Sequence, residues 1–162
     1  MRGVAPRPSC AKSATPATDG VYLDTAILVK LVVPESDSPY YADLVEGQIV
    51  WSSQLVMTEC FSALLRKERE RAISGVHRRR AWAQVESDIA AHRLNLVPIT
   101  ADVLVRANGI LGACQPQIAL RSLDAIHLAS AERCQAWPLC SNDARMRQAA
   151  ARIGLPLTPL PG

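Results

Sequence analysis

The sequence predicts an α/β protein in which a mainly parallel central sheet of four or five strands carries helices on both faces. Three observations lead there. Short β-prone runs alternate with longer helical patterns from Val21 onward, and strands that alternate with helices build parallel sheets covered on both sides. Aromatic residues are scarce, with one Phe, three Trp and three Tyr. The core must therefore be assembled from Ala, Leu, Val and Ile, which suits helices packed on a sheet better than an all-β sandwich. Finally, 162 residues with 49% hydrophobic and 20% charged content fit one ordinary soluble domain.

The elements follow in order. "MRGVAPRPSCAKSATPATDG" holds three prolines and small polar residues, with no apolar signal-peptide core. It reads as a flexible tail (residues 1–20) ahead of a folded domain at 21–162. The natural start is expected at Val21, which the intact mass of natively expressed protein would check. "VYLD" is the first strand, and "TAILVKLVV" a helix ended by Pro34. A short helix from Ser38 to about Gly47 precedes "QIVWSS", the second strand, whose Ser52 or Ser53 could cap the long helix through "QLVMTECFSALLRKERERA". After Gly75 a further helix runs to about His92 and completes a helical hairpin. "LNLVPIT" is the third strand, with Thr100 capping a helix to about Ala113. "LRSLDAIHLASAERCQ" is the next helix, "WPLCS" the fourth strand, "DARMRQAAARIG" the final helix, and "LPLTPL" a candidate edge strand.

Several function classes drop out. No run approaches the about 18 apolar residues of a membrane span. The five cysteines are odd in number and lack a C-x-x-C pair. They are expected as small buried hydrophobes with free thiols, in a cytoplasmic protein. Net charge is only +3, yet "RKERERAISGVHRRR" from Arg66 to Arg80 carries seven Lys or Arg against two Glu. Such a cluster suits a phosphate backbone or an acidic partner, and equally a solvated helical face.

Four carboxylates stand out from this pattern. Asp24 and Asp143 each fall where a strand ends and a helix begins, the end of an open α/β sheet at which ligands bind, although Asp there also serves as a plain N-cap. Glu59 lies in a helix with Leu55 and Ala63 one turn away, a place where a Glu often snorkels to an edge. Asp124, in "LRSLDAIHLAS", has Leu120, Leu123, Ile126 and Leu128 around it, and Ser122 or Asp124 itself could be a cap. Buried carboxylates need partners, and one divalent cation can serve several. Oxygen ligands without His or Cys favour Mg²⁺ or Mn²⁺ over zinc. His77, His92 and His127 show no zinc-site spacing, and His127 reads as an ordinary packed or surface side chain.

With "YLDTAILVKLVVPE", "MTECFSALLRK", "SLDAIHLASA" and "SNDARMRQAAARIGL" in this order, the chain resembles the PIN-domain ribonucleases, and among them the VapC toxins of bacterial toxin–antitoxin pairs. The match spans about Val21 to Leu155. The resemblance implies a PIN-like three-layer α/β/α fold and a Mg²⁺- or Mn²⁺-dependent endoribonuclease. Asp24, Glu59, Asp124 and Asp143 would be its catalytic and metal-binding acids, and Thr25 and Asn142 the small polar residues beside them. The basic stretch from Arg66 to Arg80, and in it Arg78, Arg79 and Arg80, would then guide RNA to the site. The resemblance further implies a cognate antitoxin of the VapB type and a homodimer. Two other functions compete. A PIN-like module could bind RNA or protein without cutting, but it would gain nothing evident from gathering repelling acids. A phosphotransfer protein would need a second Asp near Asp24 and a strand-end Lys, which are not found.

Overall fold

The computed structural model describes residues 18–162, and the N-terminal segment read above as a flexible tail, Cys10 included, lies outside them up to residue 17. Four parallel strands form one sheet in the order β3-β2-β1-β4: β1 (Thr18–Leu23), β2 (Val50–Ser53), β3 (Leu94–Val97) and β4 (Ala136–Cys140). Helices α1 (Thr25–Val32) and α2 (Ser38–Val45) connect β1 to β2, and α3 (Val56–Arg69) and α4 (Gly75–Ala90) connect β2 to β3. The chain then crosses to the far side of β1 through α5 (Ala101–Cys114) and α6 (Ser122–Cys134) before β4, and α7 (Ala144–Arg152) follows.

Period-two alternation in β1 creates the three layers. Val21 and Leu23 pack with Ile27, Tyr41, Val56, Leu64 and Val85 from α1 to α4, whereas Tyr22 between them packs with Ile110, Leu128 and Met146 from α5, α6 and α7. A central strand buried on both faces cannot afford polar alternation, and Val21, Tyr22 and Leu23 are all nearly inaccessible. On β4, Leu139 faces one layer and Cys140 the other.

Three local expectations are corrected. First, β1 begins at Thr18, so the strand starts three residues before the expected boundary at Val21. Gly20 is part of it, at an irregularity in the β1–β4 register. A Cβ there would lie 2.3 Å from the Ile49 carbonyl oxygen, which accepts the Val21 N–H at 2.9 Å, so the close approach requires glycine. Second, neither Ser52 nor Ser53 is the N-cap of α3, which is Leu55 without a side-chain bond. Ser52 Oγ instead donates to the Leu23 carbonyl at 2.7 Å, and Ser53 Oγ accepts from Ser130 of α6 at 3.2 Å. The two hydroxyls are fully buried and tie β2 to its neighbours; Ser53 Oγ also accepts the Leu55 N–H at 3.3 Å, just ahead of the helix. Third, the candidate fifth strand is reduced to one parallel bridge, Leu139 to Leu157. Pro156 and Pro159 on either side cannot donate to a ladder. The caps at Thr100 and Asp143, by contrast, are as expected.

Cys60, Cys114 and Cys140 are buried and free. Burial pushes the Cys60 and Cys140 thiols up to about 11, so both are inert small hydrophobes. Among the described residues no helix is long and apolar enough to cross a membrane.

Candidate active site

The strand order reverses at β1: β2 and β3 extend the sheet one way, while β4 joins on the other side. This switch point is where a parallel sheet opens a crevice beyond its carboxyl ends. Asp24 follows the last residue of β1, and its N–H donates to the Cys140 carbonyl at the end of β4, 3.1 Å away. The β4–α7 turn therefore sits beside it. A groove of about 690 Å³ opens there, lined by Asp24, Thr25, Glu59, Asp124, Asn142 and Asp143. All four acids and both small polar residues expected from the sequence are thus brought together.

Every one of the four acids stands at a helix N-terminus. Asp24 is the N-cap of α1, and its Oδ1 accepts the Ile27 N–H at 2.9 Å. Asp143 is the N-cap of α7, with Oδ1 accepting from Arg145 and Met146. Glu59 and Asp124 lie in the first turns of α3 and α6. α1, α3 and α7 each leave the carboxyl end of a strand, and α6, which follows α5, starts beside them with Asp124 on the groove, so four positive helix termini converge there and offset part of the repulsion between its carboxylates. The cap reading and the functional reading of Asp24 and Asp143 are compatible, because the described cap bonds engage one oxygen of each.

The acids remain in tension. Burial raises the Asp24 carboxyl above its ordinary value, the Ser141 hydroxyl, the Ile27 N–H and His127 pull it back, and Asp143 pushes it up again. Burial also raises Asp124, with the Asp143 charge adding to it and the Arg121 backbone N–H opposing. Asp124 Oδ2 is buried without a hydrogen-bond partner. An orphaned carboxylate oxygen among other acids is costly, and it is the kind of atom a cation satisfies. The donors are all hard oxygens, which suits Mg²⁺ or Mn²⁺. Among the described residues no three His, Cys, Asp or Glu side chains are gathered tightly enough to enclose an ion. An open groove still fits Mg²⁺, which takes one or two carboxylates directly and keeps several waters.

Glu59 is held differently. Its Oε2 accepts from Thr25 Oγ1 at 2.5 Å and from His127 Nε2 at 2.9 Å, while His127 Nδ1 meets the Tyr22 hydroxyl at 2.9 Å. Burial works to raise Glu59, but the bonds from His127 and Thr25 outweigh it and hold the carboxyl below its usual range. His127 is 2% exposed and lines the groove, a connected role that the sequence reading missed. Its spacing of three from Asp124 was the available signal, but its partner Tyr22 is 105 residues away.

The basic stretch from Arg66 to Arg80 is divided between the groove and α4. Arg78, Arg79 and Arg80 lie on α4 and do not line the groove; Arg78 pairs with Glu68 and lies over the Phe61 ring. The cations at the groove are Lys30, Arg66, Lys67 and Arg121. Lys30 is bound to Glu35 and Asp37, and Lys67 to Glu35. Arg66 and Arg121 are exposed and take part in no described ion pair. Leu123, expected among the apolar neighbours of Asp124, is 44% exposed at the groove edge.

The fold and the groove define a PIN domain: that family matches residues 21–152, and the chain belongs to it. Within the family it groups with the VapC proteins. Ribonuclease VapC46 of Mycobacterium tuberculosis is 37% identical over 140 residues, covering 83% of this chain and 93% of the relative. Ribonuclease VapC35 of the same species is 35% identical over 141 residues, with the same coverage. Solved structures of low identity share the fold. They include VapC20 of M. tuberculosis, described as a Sarcin-Ricin loop cleaving toxin (TM-score 0.62, 16% identity, 80% of this chain and 94% of that one). FitAcB of Neisseria gonorrhoeae is another (TM-score 0.64, 14% identity, 86% and 96%).

Proposed function

We propose that this protein is an endoribonuclease of the VapC type that hydrolyses RNA phosphodiester bonds with a divalent metal ion, as the toxin of a toxin–antitoxin pair. The buried, unpartnered Asp124 Oδ2, in one groove with Asp24, Glu59 and Asp143, carries this reading. A module that only bound RNA or protein would not benefit from an acid left in that state.

Asp24, Asp124 and Asp143 would hold Mg²⁺ or Mn²⁺, with Glu59 completing the set directly or through water. When bound, the ion supplies Lewis acidity toward a phosphoryl oxygen and toward water at near-neutral pH. The chain's own residues do the rest. Asp24 and Asp143 are fixed by their cap bonds, so the acids approach the groove with little rotamer freedom. Thr25 Oγ1 orients Glu59, and exposed Asn142 offers a neutral polar contact beside the last acid. Arg66 and Arg121 on the groove wall are placed to meet the flanking phosphates. Arg66 belongs to the basic stretch expected to guide RNA, and Arg78, Arg79 and Arg80 at its other end are proposed for a more distant RNA contact.

The VapC relatives support a partner antitoxin of the VapB type and a cytoplasmic site of action. A solved structure of VapBC2 from Rickettsia felis bound to promoter DNA has the same fold (TM-score 0.59). A homodimer is part of the same proposal. The direct test is cleavage of a mixed RNA pool by protein freed of co-purifying antitoxin, in Mg²⁺, Mn²⁺ and EDTA, beside Asp24→Asn. Metal-dependent cutting that the variant loses is expected. A folded, metal-binding protein that cuts no RNA would move the function to the binding module.

A further inference from the structure

Behind Glu59 a chain of hydrogen bonds runs from the middle of the sheet to the groove. We propose that His127 is a positioning residue whose Nε2–H, fixed by the Tyr22 hydroxyl, holds Glu59 in the orientation that faces a divalent ion. This rests on the nuclease reading above and assigns it a residue outside the acidic set.

The direction of each bond follows from what the partners can offer. Thr25 has one hydroxyl proton, and it is engaged with Glu59 Oε2. The Glu59 carboxylate has none to give. His127 Nε2, 2.9 Å from Oε2 and 3.3 Å from Thr25 Oγ1, must therefore carry a proton, and the shorter contact directs it to Glu59. In the neutral imidazole Nδ1 is then an acceptor, and its partner is the Tyr22 hydroxyl. Tyr22 is completely buried in the central strand, so its hydroxyl is as fixed as the sheet.

The consequence falls on Glu59. Both of its described bonds use Oε2, which leaves Oε1 as the oxygen directed to other partners in the groove. Glu has three rotatable side-chain bonds, and an unheld Glu would have to be ordered each time an ion binds. Such outer partners set the geometry of metal ligands, and losing one commonly weakens the metal by about 10–100-fold.

The test is Mn²⁺ titration of the full chain by calorimetry, with thermal unfolding to confirm that each variant is folded. His127→Phe, which keeps a ring and removes the N–H, is expected to weaken Mn²⁺ by about 10–100-fold. Tyr22→Phe should act in the same direction but less. His127→Gln, whose amide N–H can reach toward Glu59, should recover part of the loss. Wild-type affinity in His127→Phe would overturn the proposal while leaving the nuclease reading intact. Imidazole ¹⁵N spectra of the unsubstituted protein give a readout independent of metal and activity. A protonated Nε2 whose resonance moves in Glu59→Gln supports the tie, and a bare Nε2, or a resonance indifferent to that change, overturns it. Should wild type bind no Mn²⁺ and cut no RNA, the nuclease reading fails and the ¹⁵N result still decides the tie.

Discussion

Asp124 is proposed to serve function at the expense of stability. Its Oδ2 is buried and unpartnered, and its carboxyl is raised by burial and by Asp143. Asp124→Asn is expected to abolish RNA cleavage yet raise the melting temperature in EDTA by a few degrees, which thermal unfolding would check. Glu35 is the opposite case. Hydrogen bonds from Lys30 and Lys67 hold its carboxyl below the ordinary range. A depressed acid contributes stability that is present above its unfolded pKa and lost as pH falls through its folded one. Glu35 itself is exposed and solvent screens both contacts, so the gain is small, under about 1 kcal/mol. Urea unfolding of Glu35→Gln should lose that increment at neutral pH and match wild type once Glu35 is protonated in strong acid. The acids were legible in the sequence because a charged residue breaks an apolar helix pattern or ends a strand. His127 was not, because a histidine is compatible with both core and surface, and only folding brings Tyr22 and Glu59 to its two nitrogens.

At the scale of elements, the helix starts matter more than the helix bodies. Parallel strands deliver α1, α3 and α7 to one end of the molecule with their N-termini forward, α6 joins them after α5, and each of the four carries an acid in its cap or first turn. The order of elements was legible because hydrophobic periodicity switches cleanly between strand and helix. Their ends were less so. Gly20 looked like the last residue of a polar segment, yet it belongs to β1, since only folding brings the Ile49 carbonyl against it. Gly20→Ala should cost about 1–3 kcal/mol in urea unfolding, because the Ile49 backbone has to shift. "LPLTPL" has the alternation of a strand, but its prolines withhold the donors, and one bridge remains.

On the scale of the whole molecule, an acidic floor is bordered by cations, and that arrangement decides how RNA would approach. The basic run from Arg66 to Arg80 was legible as charge but not as direction. The α3–α4 turn separates it, so Arg66 and Lys67 line the groove while Arg78 turns back to Glu68. Arg121, isolated in sequence, reaches the same groove from α6. Replacing both Arg66 and Arg121 by Glu should weaken RNA binding more than replacing Arg79 and Arg80. It should also flatten the dependence of log affinity on log salt by about 0.7 per lost phosphate contact on single strands. Equal effects from the two pairs would return the RNA path to α4. In the proposed function this groove cuts RNA with a metal held by its acids. Single-turnover cleavage of one RNA by wild type and Asp124→Asn across a Mn²⁺ series tests it most directly. Cleavage that rises and saturates with Mn²⁺ in wild type and is lost in the variant is the predicted result; a variant that cuts as wild type does, or a wild type that cuts equally well in EDTA, would contradict it.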